Sequence, residues 1–281
     1  MANALPSPNI QLRTGLLIPQ LGFGTYLIGV DDAYRAVSDA LEAGYRHIDT
    51  AQMYGNEAQV GAAIADSGLP RDAVFITSKL DNPYHQPQAA RDAFARTLDD
   101  LRVDQVDLFL IHWPLARSTD YVATWRTLLE FEADGRARAV GTSNFQASHL
   151  QAIIDATGVA PALNQIELHP YLPQRELVQL HGRLGIATAA WSPLARGQLL
   201  AERRVLQVAH DAGRSPSQVV IRWHLQRGLV VIPKSTRRDR IAQNADVFDF
   251  ELTERQMALL NSLDQDRRVG SHPDRVELDD R

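Results

Sequence analysis

RHIDTAQMYGNEAQVGAAIADSGLPRDAVFITSKLDNPYHQPQAARDAFARTLDDLRVDQVDLFLIH, residues 46–112, holds the pattern that decides the fold. Three short apolar runs, RHID from Arg46, VFITSK from Val74 and DLFLIH from Asp107, alternate with two stretches of helical period at 56–67 and 87–101. A strand buried on both faces reads as a short continuous apolar run, and a parallel neighbour needs a crossover helix between the two. The stretch therefore reads as successive βα units of roughly 30 residues each.

The same period continues in both directions. Upstream lie LGFG from Leu21 and a helical pattern at 32–43, preceded by an expected hairpin over 10–19 that turns near Thr14-Gly15. Downstream are ARAVGTSN from Ala137, ALNQIE from Ala162, IATAAWS from Ile186 and LVVIPKS from Leu229, with a helical pattern at 216–227. Eight such strands close a parallel barrel, so the expected fold is α/β, a (β/α)8 TIM barrel with an N-terminal hairpin. An extra C-terminal helix is expected over 253–263, where Thr253 and Gln256 have capping-box spacing. No Ser/Gly linker or low-complexity tract divides the chain, and residues 1–281 read as a single barrel domain. The loop at 116–119 and the tail RRVGSHPDRVELDDR from Arg267 are the segments expected to be loosest, the tail lying over a surface. A dinucleotide-binding Rossmann unit is the competing reading of Gly22-Phe23-Gly24 and Asp49, but Leu27 stands where its third glycine should be.

Composition narrows the function classes. The 281 residues are 44% hydrophobic, and 29 basic against 34 acidic side chains leave a formal charge of −5. No global positive field would draw phosphate backbones or anionic lipid, so neither nucleic acid nor a membrane is an expected partner. The chain has no cysteine, which removes disulfides, thiolate metal sites and thiol chemistry. The opening MANALPSPNIQLRTG has no basic region followed by an apolar run, and a cytoplasmic location is expected.

In a parallel βα barrel the active site lies at the C-terminal ends of the strands. Here the second strand ends in Asp49, the third in Lys79 and the fourth in His112. The fifth ends in Ser143-Asn144, the sixth in Gln165 and Glu167, the seventh in Trp191-Ser192, and the eighth in Lys234-Ser235-Thr236. Strand ends need only turn residues, so this concentration of ionisable and amide side chains points to one pocket. Reducing a carbonyl to an alcohol needs a proton on oxygen as hydride reaches carbon. Tyrosine is a weak acid unaided, with a pKa of about 10. A neighbouring lysine ammonium favours the phenolate, and a carboxylate keeps the lysine charged. Asp49, Tyr54 and Lys79 have the types for that relay, and His112 for orienting the carbonyl oxygen.

Several separate motifs then resemble those of the aldo-keto reductase superfamily: GYRHIDTAQMYGNE from Gly44, ITSKL around Lys79, LIHWP around His112, VGTSNF from Val140, NQIELHP from Asn164 and IPKSTRRDRIAQN from Ile232. The resemblance runs from about Leu21 to Leu263. AWSPL with Trp191 and the ending RVGSHPD are closest in motif to the bacterial 2,5-diketo-D-gluconate reductases. The resemblance implies an NADPH-dependent oxidoreductase that reduces aldehydes and ketones, sugar ketoacids such as 2,5-diketogluconate or methylglyoxal among them. It makes Asp49, Tyr54, Lys79 and His112 the catalytic tetrad. It assigns Ser143, Asn144 and Gln165 to the nicotinamide carboxamide, Trp191 to stacking on the nicotinamide ring, and Ser192, Leu194, Gly197 and Gln198 to the pyrophosphate. Lys234, Ser235, Thr236 and Arg240 would hold the 2′-phosphate end, and Asn244 the adenine. Tyr26, Met53 and Trp113 would wall the substrate. Two departures stand out: Asp81-Asn82 where many relatives have Trp-Asn, which favours a small polar substrate, and Gln243 where an acidic residue is frequent beside adenine.

Plainer readings exist for the same residues. Asp49 and Lys79 taken alone make an ordinary ion pair, and His47 reads as a core histidine because no HxH or acidic ligand set accompanies it; no metal is expected. His169 has no assigned role, and Trp125 and Trp223 read as packing residues within helices. The cations Lys234, Arg237, Arg238 and Arg240 crowd a helix N-terminus, which the helix dipole disfavours unless an anion binds there. The rival functions are a metal-dependent barrel hydrolase using His47, Asp49 and His112, and a nicotinamide-binding module without catalysis. A small-molecule partner and a monomer are expected.

Overall fold

The computed structural model describes residues 3–278. Eight parallel strands run in chain order around one sheet: β1 (Phe23–Gly24), β2 (His47–Asp49), β3 (Phe75–Leu80), β4 (Leu108–Ile111), β5 (Val140–Ser143), β6 (Leu163–Glu167), β7 (Ala187–Trp191) and β8 (Val230–Val231). A parallel bridge between Leu21 and Val231 joins the first to the last, with Gly22 N–H donating to Val231 O at 2.9 Å. The result is the (β/α)8 barrel, and each expected strand contributes one stave.

The helices form the outer layer. They are α1 (Val30–Glu42), α2 (Glu57–Asp66), α3 (Pro87–Leu101), α4 (Tyr121–Ala133), α5 (Ala147–Thr157), α6 (Arg175–Leu184), α7 (Arg203–Ala212), α8 (Pro216–Gln226), α9 (Arg238–Ala245) and α10 (Glu254–Asn261). The sequence reading picks out only one helix between the seventh and eighth strands, whereas α7 precedes α8 there. Its buried Val205, Val208 and Ala209 keep helical spacing, so the signal was present in a short, Arg-led segment. The extra C-terminal helix is α10, and Thr253 and Gln256 close the expected capping box.

Two apolar layers hold the barrel. Inward-facing Phe75, Leu108, Leu110, Leu163 and Val230 pack with Leu12 and Ile18. Those last two come from the N-terminal hairpin, Asn9–Gln11 paired with Leu17–Pro19, which stoppers the barrel where its strands begin. A larger cluster, including Phe94, Phe109, Trp125, Phe131 and Trp223, fills the space between sheet and helices. With the closed end sealed by apolar side chains, a ligand can enter only where the strands end.

The tail returns from α10 to that open end. Gln265 and Arg267 N–H both donate to Tyr171 O at 3.1 Å, and Val269 N–H donates to Glu167 Oε1 at 2.5 Å. The surface that the tail covers is thus the barrel mouth. It also meets the other segment expected to be loose, since Arg117 pairs with Glu277 at 3.7 Å and Ser118 Oγ donates to the same carboxylate. The last three residues of the expected tail lie outside the described residues. No helix among the described residues is long and apolar enough to cross a membrane.

Candidate active site

Alternation along a strand sends every second side chain into the barrel, and at the mouth those side chains are polar. Asp49 ends β2, Lys79 lies near the end of β3, and His112 follows β4 directly. Lys79 Nζ donates to Asp49 Oδ1 at 2.6 Å, to Thr50 O at 2.8 Å and to Tyr54 Oη at 3.3 Å. The second carboxylate oxygen of Asp49 accepts from Gln165 Nε2 at 2.7 Å. Lys79 is completely buried, so its charge stands on these contacts alone.

Tyr54 is carried by a single 3-10 turn, Gln52–Tyr54, that ends on Gly55 in the left-handed region (φ 65°). Gln52 fixes the turn by donating to Ala93 O at 2.9 Å and Thr97 Oγ1 at 2.8 Å, while accepting from Asp81 N–H at 2.8 Å. On the other side Asn56 Nδ2 donates to Thr25 O and Ile28 O, both at 3.0 Å, and its Oδ1 accepts from Thr50 Oγ1 at 3.1 Å. Behind β3, on the face opposite Lys79, the buried Glu57 accepts from Ser78 Oγ at 2.5 Å and from Thr97 Oγ1 at 3.2 Å. The Tyr54 ring lies 5.6 Å from the His112 ring and 5.2 Å from that of Tyr26.

Burial decides the protonation of this floor. It pushes the Tyr54 phenol well above its ordinary value, and the Asp49 carboxylate adds to the rise. From sequence, Lys79 is expected to lower that pKa by favouring the phenolate. In the structure the ammonium is already neutralised by Asp49 at 2.6 Å and does not outweigh desolvation. Tyr54 therefore keeps its proton through the neutral range, and Lys79 stands ready for the phenolate left when that proton departs. Burial, then the Lys79 charge, hold His112 well below the ordinary imidazole value, so it is a neutral ring. Burial lowers Lys79 as well, against the pull of Asp49, and pushes the Glu57 carboxyl up to about 7.

Above the floor opens a cavity of about 1030 Å³. Of the residues singled out in the sequence, Tyr26, Asp49, Met53, Tyr54, His112, Trp113, Ser143, Asn144, Gln165, Trp191, Ser192, Leu194, Gly197, Lys234 and Arg240 line it. Asn144 joins two of its walls: its Oδ1 accepts from Trp191 Nε1 and its Nδ2 donates to His112 O, each at 2.9 Å. Ser143 Oγ donates to Gln165 O at 2.9 Å. Asn144 (φ 64°), Ser192 (φ 48°), Ala195 (φ 49°) and Arg196 (φ 52°) all adopt left-handed backbone around this cavity. Such positions cost a non-glycine residue roughly 1–3 kcal/mol each and persist only where surroundings enforce them.

Other expected site residues lie off the lining. Lys79 sits beneath it. Gln198 accepts from Arg267 at 3.1 Å, Ser235 Oγ accepts from Arg237 N–H at 3.1 Å, Thr236 O accepts from Arg35 at 3.1 Å, and Asn244 is buried on α9. Within the basic run, Arg237 pairs with Asp239 at 2.5 Å and Arg238 with Glu42 at 2.7 Å. Arg240 has no acidic partner among the described residues, and it is the member of that run that joins Lys234 in the cavity wall. Residues not anticipated from sequence also line the cavity: Leu27 on a loop, Arg196 at the kink of the 3-10 segment Ala195–Ala201, and Gly270, Ser271, His272, Arg275 and Val276 from the tail. Glycine in RVGS was the only local sign of close approach. His47 is a core residue, its Nε2 3.0 Å from Thr77 Oγ1. No group of three or more His, Asp or Glu able to hold a metal occurs among the described residues. Trp125 and Trp223 are fully buried, as expected of packing residues.

The sequence model of the aldo/keto reductase family matches residues 20–265. The chain belongs to that family. An aldo-keto reductase of Mycobacterium sp. (strain JLS) is 51% identical over 267 residues, covering 95% of this chain and 97% of its own. The methylglyoxal reductase DkgA of Escherichia coli (strain K12) is 43% identical, covering 94% of this chain and 96% of its own. The crystal structure of a Gox0644 mutant in complex with NADPH is similar with a TM-score of 0.93 at 40% identity, covering 96% of this chain and 99% of its own.

Within this aldo/keto reductase the two sequence departures occupy ordinary places. Asp81 caps the turn Asn82–Tyr84, accepting from Asn82 N–H at 2.8 Å, and stays out of the cavity wall. Gln243 faces a separate surface depression beside α7 and α8.

Proposed function

We propose that this aldo/keto reductase uses NADPH to reduce small aldehydes and ketones to alcohols, with Tyr54 as general acid. Sugar ketoacids such as 2,5-diketogluconate, and methylglyoxal, are the candidate substrates. The observation that carries the reading is the buried floor, where phenol, ammonium and carboxylate connect at 3.3 and 2.6 Å beneath an open cavity.

The cavity residues fit the cofactor. Lys234 and Arg240 offer cations for a compact dianion, and a guanidinium can bind one through paired hydrogen bonds. Trp191 presents an indole fixed by Asn144, with Ser143 and Gln165 beside it for an amide, while Ser192, Leu194 and Gly197 present a loop to the pyrophosphate. Gln198, Ser235, Thr236 and Asn244 complete the set only through contacts that a bound cofactor would add. NADPH, when bound, supplies the hydride that reaches the carbonyl carbon. The chain's own part is to hold and deliver a proton. Tyr54 keeps the proton until negative charge builds on the carbonyl oxygen, His112 donates a hydrogen bond to that oxygen from a neutral ring, and Lys79 stabilises the phenolate that results. Asp49 and Gln165 keep Lys79 in place. Tyr26, Met53 and Trp113 give the substrate an apolar wall. The groups in this scheme are all carried by the strand ends and loops of one barrel, consistent with a single domain.

A panel of methylglyoxal, 2,5-diketogluconate and aromatic aldehydes, assayed with NADPH and with NADH, tests the reading. Turnover of at least one carbonyl with NADPH preferred is expected. A protein that binds NADPH yet turns over none of them would overturn it.

A further inference from the structure

Glu167 ends β6 with a side chain that is completely buried, and the proposed reduction makes no use of it. Its carboxylate is nevertheless the most heavily solicited acceptor at the barrel mouth. Oε1 accepts from Val269 N–H at 2.5 Å and lies 3.0 Å from His169 Nε2. Gly270 N–H reaches both oxygens, at 3.2 and 3.3 Å, and the Arg268 guanidinium stands 3.8 Å away. Burial alone would raise this carboxyl, but His169, Val269 and Arg268 outweigh it and hold it below its ordinary value. The group is an anion.

The backbone that supplies those N–H donors makes no backbone–backbone hydrogen bond outside its own segment among the described residues; Arg275 N–H donates locally to His272 O. In residues 269–276, VGSHPDRV, Val269 packs against the core, Pro273 and Val276 are buried, and Asp274 lies 3.7 Å from His149. Glu167 adds to these contacts the hold on the backbone that leads the segment in, and that lead sits tightly. A Cβ on Gly270 would lie 2.4 Å from Trp191 Cη2, so only glycine allows the backbone to approach the indole this closely. Beyond that contact Ser271, His272, Arg275 and Val276 line the same cavity as Tyr54 and His112.

We infer that Glu167 is a positioning residue: its carboxylate latches residues 269–276 over the barrel mouth, seats Gly270 against Trp191 and thereby completes the substrate wall. The inference gives His169 a place as the imidazole that braces the latch. Its consequence for substrate rests on the reductase reading; the latch itself does not.

Limited trypsin digestion of the full chain tests the latch without any turnover, because Arg267, Arg268 and Arg275 lie in or beside it. Glu167→Gln keeps the shape but loses the charge, and losing one charge-assisted contact should raise the open population by about 10- to 150-fold. Cleavage at the tail arginines should accelerate by at least about tenfold, since proteolysis tracks the open fraction when reclosing is fast. Sites in the barrel should stay as resistant as before. Gly270→Ala should act alike, because its methyl and the Trp191 ring claim one volume. In the reductase assay both variants should raise KM for the carbonyl about tenfold while kcat at saturation stays within about threefold. The double variant should be no worse than the worse single one, because both abolish the same docked state. Tail cleavage unchanged in both variants, cleavage hastened equally throughout the barrel, or additive effects would each overturn the latch. Should Glu167→Gln fail to fold, Gly270→Ala decides alone on the same two readouts. A wild-type protein without carbonyl turnover would sink the proposed function and leave the trypsin result to judge the latch.

Discussion

The floor and the rim of the cavity are built on opposite plans. At the floor Lys79, Asp49 and Gln165 are buried and mutually hydrogen-bonded, with Tyr54 tied to the same ammonium. At the rim Lys234 and Arg240 are exposed; Lys234 reaches only the Leu27 carbonyl at 3.3 Å, and Arg240 lacks an acidic partner among the described residues. Proton transfer demands fixed geometry, so its groups are locked before any ligand arrives. Binding a phosphate demands charge, and cations left in water are poor partners for each other but good ones for an incoming anion. The contrast predicts that floor substitutions impair chemistry and stability, whereas rim substitutions impair affinity alone.

Lys79→Met attacks the floor hardest. It should lower kcat by roughly 10²–10⁴, the range of general acid catalysis, and change the pH profile. It should also destabilise the fold by about 3–5 kcal/mol, since Asp49 is left as an uncompensated buried charge. If turnover per folded molecule stays normal and only the melting temperature falls, the pair is a structural bridge and the contrast breaks at its centre.

Glu57 tests the buried support behind β3, on the face opposite Lys79. Its carboxyl rises from an ordinary 4.5 to about 7 on burial. A folded state that holds a proton more tightly than the unfolded chain loses stability as pH rises between those two values. Denaturant midpoints at pH 5 and pH 8 should therefore show a decrease of up to roughly 3 kcal/mol that Glu57→Gln removes. An unchanged slope in the variant would assign the titration elsewhere.

How much of this was legible beforehand follows from the range of each interaction. Asp49, Lys79 and His112 announced themselves because a strand end is a local feature and a barrel brings all strand ends to one face. The eight staves were visible for the same reason. Desolvation is not local. Nothing in the sequence shows that Tyr54 stands half-buried over a Lys79 already neutralised by Asp49, where desolvation raises its pKa. The Glu167 latch was illegible too, because its partners are backbone N–H groups a hundred residues away, and a backbone donor leaves no mark in a side-chain pattern. Gln198 and Asn244 rest on the resemblance alone, Ser235 and Thr236 also on their place at the eighth strand end, and all four lie off the cavity lining.

At the rim, Arg240→Ala should weaken NADPH binding by roughly 10- to 150-fold, the loss of one charge-assisted contact. NADH binding should hardly change, and kcat at saturating NADPH should hold. Added salt should separate the two cofactors in the parent and not in the variant. Equal weakening of both would mean that Arg240 supports its loop and reads no phosphate.

Trp191→Ala should give the smallest effect, because the indole belongs to both regions. Losing one aromatic contact weakens cofactor binding by about 1–2 kcal/mol and should remove most of the fluorescence quenching that NADPH causes in the parent. Trp125 and Trp223, fully buried and off the cavity lining, serve as the internal control. Quenching that survives would put Trp191 away from the cofactor.

The division between floor and rim is tested most directly by Tyr54→Phe in a single-turnover experiment, with the enzyme saturated in NADPH and mixed with methylglyoxal. The variant keeps the ring and loses only the hydroxyl. Cofactor oxidation should slow by roughly 10²–10⁴ while the Kd for NADPH stays within about twofold of the parent. A rate near that of the parent, or a loss that saturating NADPH restores, would contradict the assignment of the proton to Tyr54.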